Sequence, residues 1–252
     1  MRWLLLWLLL TFTGPIWLIL SRQINLRADY RTANRNSANI APDPLQHPES
    51  IVQVYYARTF NWRGAFAVHT WIATKEVAAK SFTVYHVIGW RLLQKLSPLV
   101  IAQDLPDRYW FAEQPHVIKD FRGKIADKLI PQIKQAVHAY PFQTDYSYWP
   151  GPNSNTFTAM IARKIPAMQL TLPSNAIGKD YLPKFNYLAK TPSGTGWQLS
   201  ISGIFGITLA LEEGLEINIF GLVYGISPKQ GIIKLPGFGD IKLNLALRSS
   251  LP

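Results

Sequence analysis

The chain has 252 residues, of which 48% are hydrophobic and 16% are charged. That composition excludes an intrinsically disordered chain, and the length allows one large domain or two small ones. The sequence contains no cysteine, which excludes disulfides, thiolate metal sites and a cysteine nucleophile. The formal net charge of +11 favours anionic partners such as lipid headgroups or cell-wall polymers, although it also serves solubility. Without a nucleic-acid-binding motif, we expect no nucleic-acid partner.

The N-terminal segment from Trp3 to Leu20 is an uninterrupted apolar run. Its length of about 18 residues is near the minimum that crosses a bilayer as a helix. No small-residue cleavage site follows, which favours an uncleaved transmembrane anchor over residues 1–21 rather than a signal peptide. The arginines after the run would, by the positive-inside rule alone, place the domain in the cytoplasm. The signal-anchor character of the run and the absence of cysteine favour the opposite side.

After the anchor, residues 22–50 predict a linker or an extended arm that lies on the domain, because they are polar and rich in Asn, Pro and Ser. A globular α+β domain is predicted from residue 51 to residue 252. It starts with three runs rich in β-branched and aromatic residues, which predict an antiparallel meander over 51–59, 65–74 and 81–90.

Residues 91–120 contain three prolines and are predicted to be irregular. A helix is predicted from Gly123 to Tyr140, where Pro131 would kink or restart it. Its apolar face is formed by residues at four-residue spacing, namely Ile125, Leu129, Ile133 and Val137. A second, short helix is predicted between the turn sequence Trp-Pro-Gly-Pro and Pro166, with Asn153, Ser154 and Asn155 as candidate caps.

The last part of the chain, residues 196–248, is apolar and rich in glycine. Two runs joined by Glu212-Glu213-Gly214 predict a β-hairpin, and further short strands follow. Glycines inside these runs indicate bulges or close backbone approaches. The sequence therefore predicts an α+β fold with an N-terminal membrane helix, an antiparallel sheet with two or three packed helices, and a Gly-rich C-terminal β-hairpin region.

The segment from Trp149 to Phe157 places a polar residue between a tight turn and a helix start. Free N–H groups and the positive end of the helix dipole favour a nucleophile or an oxyanion there. Ser154 is therefore a candidate nucleophile, with helix capping as the alternative. His69 is a candidate base, with a hydrogen-bonded core histidine as the alternative. His86 is a candidate to orient His69, a role also open to Asn153 or Asn155.

This order of strand histidine, turn and helix-opening polar residue resembles the circularly permuted papain-like hydrolases, which include NlpC/P60-type peptidases and related acyltransferases. The stretch Asn153-Ser154-Asn155-Thr156-Phe157 is similar to their nucleophile motif, with Ser154 in the cysteine position. The resemblance covers two short motifs and implies a papain-like core. A serine is far less acidic than a thiol, so a His–Ser pair in such a site would be inactive or would serve binding.

The chain also resembles, over most of residues 30–240, a family of uncharacterised bacterial proteins with a domain of unknown function. The resemblance rests on five segments, namely 62–73, 85–90, 149–157, 172–182 and 196–222. It implies a bacterial envelope protein and supplies no mechanism. Together with the anchor, it leads us to expect a single-pass protein of the bacterial inner membrane with a periplasmic domain.

Two functions remain open from the sequence. The favoured one is a membrane-anchored binding module with a degenerate papain-like cleft, in which Asn153, Asn155, Trp71 and Trp149 contact the ligand. The alternative is a hydrolase or acyltransferase that uses Ser154, His69 and His86 on an envelope peptide, glycan-peptide or lipid. No metal-ligand spacing, phosphate-binding loop or dinucleotide motif is present, so we expect neither a metal nor a cofactor.

Overall fold

The computed structural model describes residues 2–243 of the chain. These residues form an apolar N-terminal helix, two antiparallel sheets and two further α-helices, joined by short 3₁₀ turns. The predicted mixture of helices and antiparallel sheet behind an N-terminal apolar helix is confirmed.

The N-terminal helix α1 (Arg2–Leu20) is long and apolar enough to cross a membrane, judged by its length and composition. One side of it is packed against the rest of the chain through Thr11, Gly14, Pro15 and Leu18. These positions are three or four residues apart and therefore share one helix face. The helix is thus docked on the domain along part of its length.

The first sheet has five strands in the order β4-β3-β2-β1-β5. They are β1 (Ile51–Arg58), β2 (Val68–Lys75), β3 (Phe82–Val87), β4 (Leu99–Asp104) and β5 (His116–Arg122). The first three form the predicted meander, in which the second and third strands are shorter than predicted because 3₁₀ turns replace their ends.

The prediction of an irregular segment over 91–120 is wrong, since β4 lies within it and β5 begins there. Pro98 and Pro115 each directly precede a strand, and Pro106 follows one, so no ladder hydrogen bond is lost. Both strands are half-exposed sheet edges and lack the strong apolar alternation that identifies central strands.

Two helices, α2 (Lys124–His138) and α3 (Ser154–Lys164), pack on one face of this sheet and form the main core with it. Helix α2 passes through Pro131 without a break. Leu129, Ile133 and Val137 are buried as predicted, but Ile125 is 59% exposed. Each four-residue step turns the helix by 400°, about 40° more than one full turn. Three such steps separate Ile125 from Val137, so Ile125 is rotated off the face that Val137 occupies.

The second sheet is a seven-stranded antiparallel meander in the order β12 to β6. Its strands are β6 (Leu188–Lys190), β7 (Gly196–Ile201), β8 (Phe205–Ala210), β9 (Gly214–Ile219), β10 (Leu222–Ser227), β11 (Ile232–Leu235) and β12 (Gly239–Lys242). Strands β8 and β9 form the predicted hairpin around Glu212-Glu213-Gly214. Residues 244–248 of the predicted β region lie outside the described residues.

Each of the two apolar runs predicted as a single strand is in fact two strands. The chain reverses at Ser202-Gly203 and at Phe220-Gly221, and all four residues have positive φ. Two consecutive residues with positive φ are the requirement of a tight hairpin turn. The glycines at 203 and 221 therefore mark turns rather than the predicted bulges.

The side of the second sheet that faces the protein is polar and contains a buried ion cluster. Glu216 of β9 pairs with Lys179, which precedes the sheet, and its other oxygen lies 2.6 Å from Nζ of Lys234 in β11. Burial opposes ionisation of Glu216, but the two ammonium groups prevail and hold its pKa below the ordinary value. Breaking such a group leaves unpaired buried charge.

We expect Glu216→Ala to lower the free energy of unfolding by about 3–5 kcal/mol, because Lys234 would be left buried without its counterion and Lys179 would keep only Asp180, 3.5 Å away. The contribution of Glu216 is complete above the carboxyl pKa of the unfolded chain and is lost as the pH falls through the lower folded-state pKa. Urea titration in detergent at several pH values measures both effects. Glu212→Ala, which removes an exposed pair with Lys229, is the control and should cost about 1 kcal/mol or less.

Candidate functional site

A cavity of about 860 Å³ lies between the start of β2, the start of α3 and the loop that follows β4. Its wall includes Ser154, His69, Asn153 and Asn155 together with many aromatic side chains. The aromatic members are Tyr30, Phe60, Trp62, Phe66, Trp90, Trp110, Phe111, Tyr146, Tyr148 and Trp149. Such a concave, largely apolar surface with a few polar groups is typical of a ligand site.

Asn153, rather than Ser154, caps helix α3. Its side-chain oxygen accepts hydrogen bonds from the N–H groups of Asn155 and Thr156, and the Thr156 hydroxyl accepts from the Asn153 N–H. The Asn153 amide nitrogen donates to the carbonyl of Ile177. The capping alternative for Ser154 is therefore excluded, because a neighbouring side chain fills that role.

Ser154 is the first residue of α3 and is 5% exposed, at the wall of the cavity. Within residues 2–243, neither its hydroxyl nor its backbone N–H has a hydrogen-bond partner, while its carbonyl accepts from Thr70. The side chain and the N–H thus combine a hydroxyl with a donor at the positive end of a helix. This is an arrangement that can present an oxygen nucleophile and stabilise an oxyanion.

His69 and His86 come from the adjacent strands β2 and β3 and lie side by side. Nε2 of His69 is 3.4 Å from Nδ1 of His86, at the long end of hydrogen-bonding distance. The His69 ring also stacks in parallel on Trp110, with ring centres 3.7 Å apart. One edge of the His69 ring is therefore occupied by His86 and one face by Trp110, which fixes the orientation of the imidazole.

His69 is buried and His86 is partly buried, and burial is the main cause of the altered acidity of both imidazoles. It lowers the pKa of His69 well below the ordinary value, with a smaller contribution from His86. Burial also lowers the pKa of His86 to about 4, against an opposing effect of Asp104. Both rings are consequently neutral at neutral pH, and a neutral imidazole can accept a proton.

The predicted ligand contacts are distributed unevenly. Trp149 lies on the cavity wall and donates through Nε1 to the carbonyl of Phe220. Asn155 also borders the cavity, but its side chain is engaged with Thr70 and with backbone carbonyls. Trp71 is buried behind His69 and donates to the carbonyl of Pro106, so it supports the site from the side away from the cavity.

Much of the cavity wall was not anticipated from the sequence. Trp110 contacts His69, and Arg63 lies over the rings of Trp62 and Tyr148. Arg35, from the predicted arm, lies over Phe111. A signal was present, because aromatic residues cluster at 60–66, 109–111 and 146–149. No spacing rule indicates that these three clusters meet.

The arm that follows α1 is attached to the domain by Asp107. The carboxylate of Asp107 accepts hydrogen bonds from the Ser37 hydroxyl and from the N–H groups of Ile40 and Ala41. This attachment holds Tyr30 and Arg35 at the cavity. Residues 2–243 contain no group of three or more His, Cys, Asp or Glu that could hold a metal ion.

The fold and the cavity define an α+β domain with an apolar N-terminal helix and an aromatic cavity bordered by Ser154 and His69, whose side chains do not hydrogen-bond each other. The model of the family described as "Protein of unknown function (DUF3750)" matches residues 49–181, more than half of the chain. The chain belongs to this family, in agreement with the resemblance to a domain of unknown function. The matched region contains His69, His86 and Ser154. Neither curated proteins nor solved structures give a match.

The variants Asn153→Ala and Ser154→Ala distinguish a residue that caps α3 from one that does not contribute to the stability of the helix. We expect Asn153→Ala to lower the free energy of unfolding by about 2 kcal/mol, because a cap and a buried amide bond are lost together. Ser154→Ala should change it by less than about 0.5 kcal/mol, since its hydroxyl makes no hydrogen bond within the described chain. Urea unfolding of both variants in detergent measures the difference, and a large loss for Ser154→Ala would assign its hydroxyl a structural role.

Proposed function

We propose that the protein is a serine–histidine acyl-transfer enzyme, either a hydrolase or an acyltransferase, with Ser154 as nucleophile, His69 as base and His86 as the residue that positions His69. The observation that supports this most is the unbonded hydroxyl of Ser154 at the start of α3, on the same cavity wall as a neutral His69. Because no group among residues 2–243 engages this hydroxyl in a cap or a cross-link, it is free to serve as a nucleophile.

In the proposed reaction, the Ser154 oxygen attacks the carbonyl carbon of an ester or amide while its proton passes to His69. The Ser154 N–H donates to the oxyanion. The carbon–leaving-group bond then breaks, and the leaving group takes the proton from His69. Water or an acceptor hydroxyl next attacks the acyl-serine, with His69 again removing the proton, and Ser154 recovers its own. Atoms and protons balance, and no cofactor is required.

The contact of His69 with His86 supports a particular tautomer. If Nε2 of His69 carries the proton and donates to Nδ1 of His86, then Nδ1 of His69 has the free lone pair of a base. The parallel contact with Trp110 limits rotation of the ring away from that orientation. This relay substitutes a second imidazole for the carboxylate that orients the histidine of a serine hydrolase.

The proposal predicts that a fluorophosphonate probe labels the full-length protein at Ser154 and that Ser154→Ala abolishes the labelling. Turnover of a p-nitrophenyl acyl ester should fall by about 10³-fold or more in Ser154→Ala and His69→Gln, as expected when a nucleophile or its base is removed. Ser81→Ala, at a serine remote from the cavity, is the control and should keep wild-type labelling.

A pH profile gives an independent readout. Because the pKa of His69 is lowered, kcat/KM should stay level from about pH 8 down to about pH 6, where an ordinary histidine of pKa about 6.5 would already be losing activity. An acid limb centred near pH 6.5 would contradict the assignment of His69 as a buried base. Absence of labelling and turnover in a folded wild-type protein would remove the enzymatic proposal altogether.

The second candidate is a binding module, the function favoured by the sequence. The volume of about 860 Å³ and the aromatic wall of the cavity support it, since both suit an apolar ligand whether or not Ser154 reacts. Titration with acyl-chain probes that quench the tryptophans of the wall tests it. Saturable quenching that Ser154→Ala leaves unchanged, without turnover, favours the module over the enzyme.

We place the protein in the bacterial inner membrane with its domain in the periplasm. The apolar helix α1, the cysteine-free composition and the earlier resemblance to bacterial envelope proteins support this location. Lys128→Cys, on the exposed side of α2, provides a unique thiol on the domain. A membrane-impermeant maleimide should label it in spheroplasts, whereas labelling only after lysis would place the domain in the cytoplasm.

A further inference from the structure

The C-terminal sheet has its polar and apolar faces reversed relative to a water-exposed sheet. Along β7, β8 and β9 the buried positions are polar, as in Gln198, Thr208 and Glu216. The alternate positions point away from the protein and are large and apolar. Since strand side chains alternate between faces, a polar inner face requires that the outer face receive the other set of residues.

The outer face is a continuous apolar surface. Two rows run across adjacent strands in register, Trp197-Leu209-Leu215 and Leu199-Ile207-Ile217. These six side chains are between 41% and 68% exposed. Adjacent strands lie about 4.8 Å apart and each strand rises about 3.3 Å per residue. The apolar patch over β6 to β10 therefore measures roughly 20 Å by 20 Å. A patch of this size marks an interaction surface rather than ordinary protein surface.

Helix α1 meets this same outer face. Tyr224 of β10 pairs in register with Ile217 and therefore lies on the outer side, where its hydroxyl hydrogen-bonds Thr11 of α1. Farther along α1, Gly14 and Pro15 contact the turn between β11 and β12, at 236–238. The remaining sides of α1 expose leucine and tryptophan. The sheet face and the helix are thus one uninterrupted apolar surface.

The edge of the patch has the character of a membrane boundary. Lys190 of β6 lies over the ring of Trp197, with Nζ 4.0 Å from the ring centre. Paired lysine and tryptophan are typical where protein meets the headgroup layer. The outward positions of β7 to β11 carry no charged side chain. A partner with a charged surface could therefore form no ion pair with this face.

We infer that the outer face of the C-terminal sheet is a membrane-contacting surface, which enters the bilayer together with α1. Helix α1 is long and apolar enough to cross a membrane and exposes most of its large side chains, and the sheet face that touches its middle would share its surroundings. Both α1 and the sheet would then contact lipid, and the domain would lie against the membrane instead of being joined to it only through α1. The inference does not depend on Ser154 being a nucleophile.

The experiment uses the full chain, which has no native cysteine, so each substitution introduces a unique thiol. Ile207→Cys, in the middle of the patch, is labelled with an environment-sensitive fluorophore and reconstituted in phosphatidylcholine–phosphatidylglycerol vesicles. Leu9→Cys on exposed α1 is the reference for a lipid environment, and Lys128→Cys on α2 is the reference for water. Leu199→Cys repeats the test on the neighbouring strand, should Ile207→Cys fail to fold.

The label at position 207 should show blue-shifted emission, quenching by nitroxide groups on lipid acyl chains and little quenching by aqueous iodide, as at position 9. Quenching by iodide equal to that at position 128 would overturn the inference, because the face would lie in water. Protection from both quenchers, together with disulfide-linked dimers of the unlabelled Ile207→Cys protein, would also overturn it, by showing that a second copy covers the face.

Discussion

Three consecutive residues, 177–179, link the start of α3 to the C-terminal sheet through their hydrogen bonds and ion pairs. The carbonyl of Ile177 accepts from the side chains of Asn153 and Asn155, and the carbonyl of Gly178 accepts from Thr156. The next residue, Lys179, enters the buried pair with Glu216. Because these bonds are wholly or partly buried, breaking any of them leaves polar groups without a partner, so the site and the sheet are held as one unit.

Gly178 shows how closely this connection is fitted. Its φ is +95°, a conformation that other residues rarely adopt. A β-carbon at this position would also collide with the side chain of Asn153, the cap of α3. The loop can therefore approach the cap only because residue 178 has no side chain. That approach lets Asn153 satisfy the helix end and leaves Ser154 unbonded at the cavity.

The polar cluster under the C-terminal sheet also determines what faces outward. With Lys179, Glu216 and Lys234 buried between the sheet and the protein, alternation places the large apolar residues on the other side. The end of that outer surface near Phe220 adjoins Trp149, which belongs to the cavity wall. If the surface lies on a bilayer, the rim of the cavity lies near lipid. An aromatic cavity is suited to the acyl part of a substrate that arrives from there.

Local sequence patterns predicted the elements whose hydrophobic or turn pattern is contained within a short stretch of residues. The apolar run of α1, the meander of β1 to β3, the helix around Leu129 and Ile133, and the turn before α3 were all found this way. Strands β4 and β5 were missed because an edge strand buries little and carries little alternation. Ile125 was misplaced because a four-residue repeat drifts from the 3.6-residue turn. Hairpins at 202–203 and 220–221 were missed because glycine alone does not distinguish a turn from a bulge.

The sequence by itself determined the apolar N-terminal helix, the α+β class, the absence of thiol chemistry and the identity of Ser154, His69 and His86 as residues to examine. Only the tertiary structure decided that Asn153 is the cap, that the two histidines touch and that three aromatic clusters form one cavity. It also decided which side of the C-terminal sheet faces the protein. The capping bonds of Asn153 are local, but its neighbours Ser154 and Asn155 are also good capping residues, so the sequence left the choice open. The other outcomes depend on contacts between residues distant in sequence, such as His69 and His86, and local periodicity carries no information about such contacts.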